Sequence, residues 1–200
     1  MSDKTKQQVI IEAARVRFAH FGFSKVTMEE IASDVELGKA SLYYYFPTKE
    51  ELFKAVIALE QEELKLNFEL IIQVEKPASQ KLHDYVKVRM KFFQDLINLG
   101  TLSIYSYFDS KSVYEKLFLD FEKVELELIK RIIEQGKKQK EFNSDLSFDT
   151  AMVFLHILQG LRCRIIRKTR RNLLAKKVHN DLQKEMTTAT QIFINGIKYN

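Results

Sequence analysis

The residues between Thr27 and Glu51 restrict the fold of this chain more than any other stretch, because each end carries the sequence of a helix start. The pairs Thr27–Glu30 and Thr48–Glu51 each place a threonine three residues before a glutamate, the pattern of a capping box. Pro47 stands before the second pair and disfavours helical geometry at the residue that precedes it. The sequence therefore predicts a short helix, a tight turn and a second short helix, followed by a new helix after Thr48.

The second short helix contains three consecutive tyrosines, Tyr43, Tyr44 and Tyr45. Successive helical residues are about 100° apart, so the three rings cannot all face one core. Leu42 and Phe46 lie on one side of this helix and are predicted to face the core. Tyr43 and Tyr44 are predicted to be exposed to a partner outside the chain, and Tyr45 is left open between core and surface.

Apolar residues recur at intervals of three and four along most of the chain, and only 6 Gly and 2 Pro interrupt it. Both features predict an all-α protein of about nine helices. In the first helix Ile10, Ala14, Phe18 and Phe21 share the predicted buried face, and Gly22 ends the helix. The predicted helices cover about residues 3–21, a short segment after Thr27, another from about Gly38, a long helix to about residue 74, and then 79–98, 102–109, 111–138, 147–170 and 174–195.

The net charge of +5 is unevenly placed along the chain. Residues 1–50 carry seven Lys/Arg and seven Asp/Glu, whereas residues 151–200 carry ten Lys/Arg against Asp181 and Glu185. Binding of DNA by the first segment would therefore depend on a few placed charges. The basic run 162–177 is interpreted as a solvated face, with salt bridges to a partner or an anionic ligand held by Arg162 as alternatives.

Several classes of protein are disfavoured by what the sequence lacks. No apolar run reaches the roughly 18 residues of a membrane span, and residues 1–6 do not resemble a signal peptide. Cys163 is the only cysteine, which fits a reduced, cytoplasmic protein. The four histidines have no metal-ligand spacing and no glycine-rich phosphate loop occurs, so we expect no enzyme, cofactor or metal.

The first fifty or so residues resemble the DNA-binding domain of TetR-family transcriptional regulators. The resemblance rests on Ile10-x-x-Ala13-Ala14, Phe18, Gly22, Thr27-Met28-Glu29-Glu30-Ile31-Ala32, Val35, Gly38-Lys39-Ala40-Ser41-Leu42-Tyr43-Tyr44-Tyr45-Phe46 and Lys49-Glu50-Glu51-Leu52. Two positions depart from the family pattern. Tyr45 stands where the family often has histidine, and the turn carries Glu36, which would repel phosphate if it pointed at DNA.

The resemblance implies a helix-turn-helix domain over residues 1–47 and an effector-binding and dimerisation domain over residues 48–200. In such a domain the second short helix enters the major groove of double-stranded DNA. Small Ala40 permits close approach, Ser41 discriminates weakly between bases, and Lys39 reaches a guanine edge or a phosphate. The expected DNA-contacting residues are Thr27, Lys39, Ala40, Ser41, Tyr43, Tyr44, Tyr45 and Lys49, with Thr27 and Lys49 gripping phosphate by the family's pattern.

A helix-turn-helix reads few base pairs, so a two-fold homodimer on a palindromic operator is expected. The resemblance places the dimer contact in the last two helices, although their apolar stripes would equally suit the monomer's own core. The expected interface residues are Phe148, Leu155, Leu158, Val178, Leu182, Met186, Ala189 and Phe193.

The resemblance also implies that helices four to seven enclose a pocket for a small apolar or amphipathic effector, whose binding releases a repressor from its operator. Aromatic stripes at helical spacing are otherwise typical of a core. The expected lining residues are Tyr85, Arg89, Phe92, Phe93, Tyr105, Phe108, Phe118, Phe121, His156 and Arg162.

Two other functions remain open at this point. One is a DNA-binding architectural or division-linked factor that is controlled by a protein partner. The other is a protein that binds a membrane surface through its basic 162–177 stretch.

Overall fold

The computed structural model describes residues 3–23, 25–98, 113–147, 149–168 and 176–199. Over these ranges the fold is all-α, as the sequence predicted, with one isolated antiparallel bridge between Phe142 and Lys198. The predicted helix over 102–109 lies outside the described residues. The helices are α1 (Asp3–Phe21), α2 (Met28–Asp34), α3 (Lys39–Tyr45), α4 (Lys49–Gln73), α5 (Ala78–Asn98), α6 (Val113–Lys138), α7 (Asp149–Lys168) and α8 (Lys176–Ile197).

The chain divides into two compact units. Unit 1 comprises residues 1–62 and 93–114, and unit 2 comprises residues 63–92 and 115–200. In the described ranges, no helix is both long enough and apolar enough to cross a membrane.

The core of unit 1 is built around aromatic rings of α1 and α4. The ring of Phe18 meets that of Phe53 edge to face, with centroids 5.3 Å apart, and the ring of Phe23 lies 4.8 Å from Phe53. Gly22 ends α1 with a left-handed φ of 78°, a conformation that glycine adopts without the strain of a side chain. Phe21 was predicted to lie on the buried face of α1, but its side chain is 59 % exposed. Its ring lies beside the Arg17 guanidinium instead.

The core of unit 2 combines the second half of α4 with α5, α6, α7 and α8. A chain of ring contacts crosses it: Phe68 lies 5.3 Å from Tyr85, Tyr85 lies 6.3 Å from Phe154, and Phe154 stacks on Phe193 at 4.5 Å. Each such ring removes a large apolar surface from water, which makes this cluster a major source of the stability of unit 2.

The junction between α4 and α5 is fixed by Glu141, which follows α6, and by Lys81 in the first turn of α5. The Glu141 carboxylate accepts hydrogen bonds from the N–H groups of Ala78 and Ser79, at 2.6 and 3.0 Å, and so caps the start of α5. The ammonium group of Lys81 donates to the Ile72 carbonyl in the last turn of α4, at 2.6 Å. The junction is therefore stabilised by hydrogen bonds to both helix ends rather than by α4 and α5 alone.

Lys81 is a buried cation whose described acceptors are uncharged. Its ammonium group donates to the Ile72 carbonyl and, at 2.8 Å, to the Gln135 side chain, while the residue is only 2 % exposed. Burial lowers the pKa of Lys81 because it disfavours the charged form.

The segment after α6 attaches the end of the chain to unit 2. The N–H of Asn143 donates to the carbonyl of Ile197 at 2.9 Å, and the N–H of Tyr199 donates to the carbonyl of Glu141 at 3.0 Å. Next to these bonds the buried ring of Phe142 lies directly over Gly136 of α6. A methyl group at position 136 would lie 2.2 Å from that ring, so α6 needs glycine there.

Candidate nucleic-acid interface

The start of α2 is fixed by the predicted capping box at Thr27. The Thr27 hydroxyl accepts from the N–H of Glu30 at 3.3 Å, and the Glu30 carboxylate accepts from the N–H of Thr27 at 2.8 Å. The hydrogen bond from the backbone of Thr27 lowers the pKa of Glu30. Both groups of the box are thus satisfied inside the protein, and the first turn of α2 is rigidly placed.

An ion pair that the sequence analysis missed connects α2 to α1. Arg17 binds the Asp34 carboxylate through two nitrogens, with Nη2 2.7 Å from Oδ1 and Nε bonded to Oδ2. Its Nη1 also lies 3.5 Å from Glu30. These hydrogen bonds raise the pKa of Arg17 and lower that of Asp34. The paired residues are 17 positions apart, and neither belongs to a recognisable local motif.

The turn between α2 and α3 contains a strained residue. Glu36 has a φ of 54°, in the left-handed region that side chains other than glycine, asparagine and aspartate rarely adopt. The turn closes when the N–H of Leu37 donates to the Ala32 carbonyl at 2.9 Å. Gly38 then caps α3 with extended backbone and no side-chain hydrogen bond.

Helix α3 shows one buried side and one exposed side. Leu42 and Phe46 are buried in unit 1, which agrees with the sequence prediction. Tyr44 is 78 % exposed, while Tyr43 and Tyr45 are half-buried. The rings of Tyr44 and Tyr45 meet edge to face at 5.2 Å, so Tyr45 supports the exposed ring.

Four of the six predicted contact residues on α3 are exposed. Lys39, Ala40 and Ser41 are exposed in the first turn, one helical turn before Tyr44. We call Lys39, Ala40, Ser41 and Tyr44 the α3 surface. Ala40 and Ser41 are small, and Lys39 is the one cation of this surface.

Lys39 is engaged in an ion pair whose partner the sequence analysis did not single out. Its ammonium nitrogen lies 2.5 Å from Oε1 of Glu29, in the first turn of α2, and 5.8 Å from the centre of the Tyr43 ring. The hydrogen bond between them raises the pKa of Lys39 and lowers that of Glu29. Glu29 lies inside the capping-box sequence, but only the geometry of the turn brings it to Lys39.

Lys49, predicted to grip phosphate, has two close partners inside unit 1. Its ammonium group donates to the carbonyls of Phe23 and Val26, each at 3.0 Å, and lies 4.5 Å above the Phe23 ring. An ammonium group has three protons, and these two carbonyls accept two of them. The phosphate contact stays a prediction, and the structure adds a role in which Lys49 attaches α4 to the loop before α2.

The apolar stripes predicted to form the dimer contact face the interior of the single chain. Leu155, Leu158, Leu182 and Met186 are buried where α7 packs on α8. Ala189 and Phe193 are half-buried; Phe148 and the side chain of Val178 lie outside the described residues. These residues contribute to the core of the single chain, and their role in a dimer contact stays a prediction.

The exposed apolar residues of the same two helices lie on other faces. They are Met152, Val153 and Ile157 of α7 and Ile192 of α8, which is 67 % exposed. Both sides of α7 are apolar, so the spacing alone could not show which side the monomer covers.

Four of the predicted effector residues do come together in unit 2. Arg89 is paired with Glu125, and its guanidinium carbon lies 5.8 and 5.9 Å from the ring centres of Phe92 and Phe121. The Tyr85 hydroxyl donates to the same carboxylate at 2.9 Å. Burial raises the pKa of Tyr85 well above its usual value. Glu125 was missed because a lone acid on a charged helix carries no sequence signal.

The other predicted effector residues are placed differently or not described. His156 is exposed on α7, and Arg162 is half-buried on the same helix. Tyr105 and Phe108 lie outside the described residues, as do the side chains of Phe93 and Phe118. Where the structure describes the chain, no group of three or more histidine, cysteine, aspartate or glutamate side chains could hold a metal ion.

Comparison with known proteins agrees with this geometry. Residues 10–56 match the family model described as bacterial regulatory proteins, tetR family. A crystal structure of a transcriptional regulator from Cytophaga hutchinsonii ATCC 33406 is 39 % identical and covers 96 % of this chain and 98 % of its own, with a TM-score of 0.90.

Two curated relatives match over shorter or more divergent stretches. The HTH-type transcriptional regulator YhgD of Bacillus subtilis is 27 % identical over 143 residues, which is 66 % of this chain and 70 % of the relative. The nucleoid occlusion factor SlmA of Mannheimia succiniciproducens is 22 % identical over 173 residues, 84 % of this chain and 79 % of the relative. With its helix-turn-helix and all-α fold, the chain belongs to the TetR family of transcriptional regulators, a family of non-enzymatic DNA-binding proteins.

Proposed function

We propose that this chain is a ligand-responsive repressor that binds a palindromic operator as a homodimer and is released by a small effector. The observation that carries the proposal is the α3 surface, which is exposed around Tyr44 while Leu42 and Phe46 fix the helix from behind. A rigid helix with exposed small and polar residues fits the major groove, where each base pair presents a distinct set of donors and acceptors.

Each residue of the proposed interface has a chemical role. Ala40 and Ser41 approach base edges, and Lys39 binds a guanine edge or a phosphate. Tyr43 and Tyr44 reach phosphates or the edges beside thymine methyl groups, with Tyr45 supporting Tyr44. Thr27 and Lys49 lie at the starts of α2 and α4, where backbone N–H groups favour an anion such as phosphate.

Operator recognition needs two α3 helices about 34 Å apart, one in each of two successive major grooves. A two-fold dimer supplies this spacing. The exposed apolar residues Met152, Val153, Ile157 and Ile192 support a dimer contact on α7 and α8, because burying them removes apolar surface from water.

The effector is proposed to be apolar or amphipathic and to bind at the cluster of Tyr85, Arg89, Phe92, Phe121 and Glu125. The rings offer an apolar surface, and the Arg89–Glu125 pair offers a charged group to the polar end of a ligand. Effector binding would select a conformation in which the two α3 helices no longer match successive grooves.

A gel-shift titration tests the core of the proposal. The probe is the DNA that flanks the gene, together with duplexes selected from a random pool, and the titration is repeated over a salt series. We expect a specific complex whose affinity falls steeply with salt, because phosphate contacts release counterions. Binding only to anionic vesicles, with no specific DNA complex, would overturn the proposal in favour of a membrane-surface protein.

A second candidate is a DNA-binding architectural or division-linked factor that is controlled by a protein partner. It is supported by the match to a nucleoid occlusion factor over most of the chain. This candidate predicts many binding sites spread over a chromosome and no change in DNA affinity with any small molecule. Mapping of bound sites in cells separates it from a regulator with a few sites near promoters.

A further inference from the structure

We propose that Glu29 is a specificity-determining residue that holds Lys39 in an ion pair and so weakens binding to DNA without the operator sequence. The inference rests on the proposed function, in which α3 enters the major groove. It gives Glu29, an acid beside the DNA-binding surface, a positive role in choosing among DNA sequences.

The geometry makes Glu29 a direct competitor of DNA for Lys39. Glu29 follows the helix cap in the first turn of α2, Lys39 is the first residue of α3, and their charged atoms are 2.5 Å apart. The side chains are 51 % and 64 % exposed, so DNA can reach both. Glu30, the neighbouring acid, is engaged with Thr27 and Arg17 and does not share this role.

The energy scale favours exchange of partners rather than a permanent pair. Exposed ion pairs contribute little net free energy because water and salt screen both charges, so a good acceptor on DNA can displace Glu29. Every duplex offers phosphates, but Lys39 has to give up its ion pair with Glu29 to bind one, and the lost pair offsets most of that gain. A guanine edge offers two acceptors to one ammonium group, and an operator with guanine at the right place shifts the exchange toward DNA.

The charge of the whole segment makes this exchange matter. Residues 1–50 carry equal numbers of basic and acidic side chains, so there is no surplus of cations to hold unspecific DNA. Releasing one lysine from its ion pair therefore changes the affinity of this surface for unspecific DNA more than it would change that of a strongly basic surface.

The test compares wild-type protein with Glu29→Gln on two duplexes, a selected operator and its scrambled sequence, over a salt series. We expect Glu29→Gln to bind the scrambled duplex about twofold to fivefold more tightly. The slope of log affinity against log salt should steepen by about 0.9, the value for one added phosphate contact. The affinity for the operator should change less. The ratio of operator affinity to scrambled-duplex affinity should therefore fall. An unchanged ratio overturns the inference.

Two variants separate pairing from simple charge. Glu36→Gln removes one acid from the neighbouring turn without touching the Lys39 pair, and we expect it to keep the wild-type ratio; a fall equal to that of Glu29→Gln overturns the inference. In a Lys39→Gln background, Glu29→Gln should leave affinity for the scrambled duplex unchanged. Tightening there would mean direct repulsion of phosphate by Glu29, and it equally overturns the proposal.

The same data distinguish failure of the inference from failure of the proposed function. If the wild-type protein selects an operator and Glu29→Gln leaves the ratio of operator affinity to scrambled-duplex affinity unchanged, only the inference is contradicted. A wild-type chain that selects no duplex contradicts the proposed function and the inference with it. Thermal unfolding of every variant checks that each is folded, and the exposed, isosteric Glu29→Gln change should leave the midpoint within a few degrees of wild type.

Discussion

Tyr44 and Leu42 lie two positions apart on α3 and have opposite environments. Tyr44 is largely exposed and Leu42 is fully buried. This contrast separates the surface that we propose meets DNA from the side chains that keep α3 in place, and it makes the two roles testable by single substitutions.

Tyr44→Ala should abolish the operator complex in a gel shift and leave the melting temperature almost unchanged, because an exposed ring contributes little to the core. Leu42→Ala should lower the free energy of unfolding by about 2–5 kcal/mol through the loss of buried surface and the cavity left behind. A large drop in melting temperature for Tyr44→Ala would show that Tyr44 is a core residue.

Glu36→Asn should stabilise the protein, because asparagine tolerates the left-handed conformation that glutamate adopts here at a cost of about 1–2 kcal/mol. We expect a gain of up to about 1 kcal/mol in urea unfolding. Glu36→Gln is the matched control, since it removes the charge and keeps the strain. An equal gain in both variants would assign the effect to charge.

At the scale of helices and turns, close packing and ion pairs determine how the elements meet. Gly136 lets α6 contact Phe142, while Arg17 and Asp34 join α1 to α2. Each contact connects one element to another, so its loss should affect a whole element.

Gly136→Ala should destabilise the protein even though alanine favours helices. The added methyl group would lie 2.2 Å from the Phe142 ring, and overpacking of this kind costs about 1–3 kcal/mol. Gly196→Ala is the control, since nothing lies within 4 Å of the added group there and the residue is also helical. Urea unfolding should show a loss for the first variant and no loss for the second.

The Arg17–Asp34 pair predicts a pH dependence of stability. The pKa of folded Asp34 is lowered by Arg17, so its contribution is present above the unfolded pKa of about 3.9 and is lost as pH falls through the folded value. Asp34→Asn should therefore be less stable than wild type at pH 7, and the gap should narrow below about pH 4. A gap that stays constant from pH 7 to pH 3 would contradict this.

Local signals explain which elements could be predicted from the sequence. The cap at Thr27, the end of α1 at Gly22 and the buried side of α3 depend on residues within one or two helical turns of each other. The Glu29–Lys39 and Arg17–Asp34 pairs depend on the turn between helices, which sequence spacing does not determine. Phe21 was misplaced for a related reason, because its helix ends before a neighbour covers its last turn.

At the scale of the whole molecule, the proposed dimer contact would bury exposed apolar side chains of α7 and α8. The family resemblance placed the dimer contact on stripes of these helices that include Leu155 and Leu182, which are buried within the single chain. The face with Met152, Val153 and Ile157 is exposed in the single chain, and the proposed dimer contact would cover it.

Val153→Glu and Ile192→Glu, together, should convert a dimer to a monomer and abolish operator binding at nanomolar concentration. Each side chain is exposed in the single chain, so the monomer should keep its helical content. Sedimentation and circular dichroism measure the two effects. Leu66→Glu, at another exposed apolar position in α4, is the control and should leave the mass unchanged.

The cap that Glu141 places on α5 bears on the order in which the parts of this chain fold during synthesis. The N–H group of Ala78 can form its hydrogen bond only after the Glu141 carboxylate, 63 residues later in the chain, has been synthesised. The carbonyl of Glu141 in turn accepts from Tyr199, which is synthesised later still. Among the described residues, the caps and ion pairs given above for α2 and α3 need no such late partner, because they lie between Arg17 and Lys49. On a ribosome the α3 surface can therefore form early, whereas unit 2 acquires these hydrogen bonds only after Tyr199 emerges.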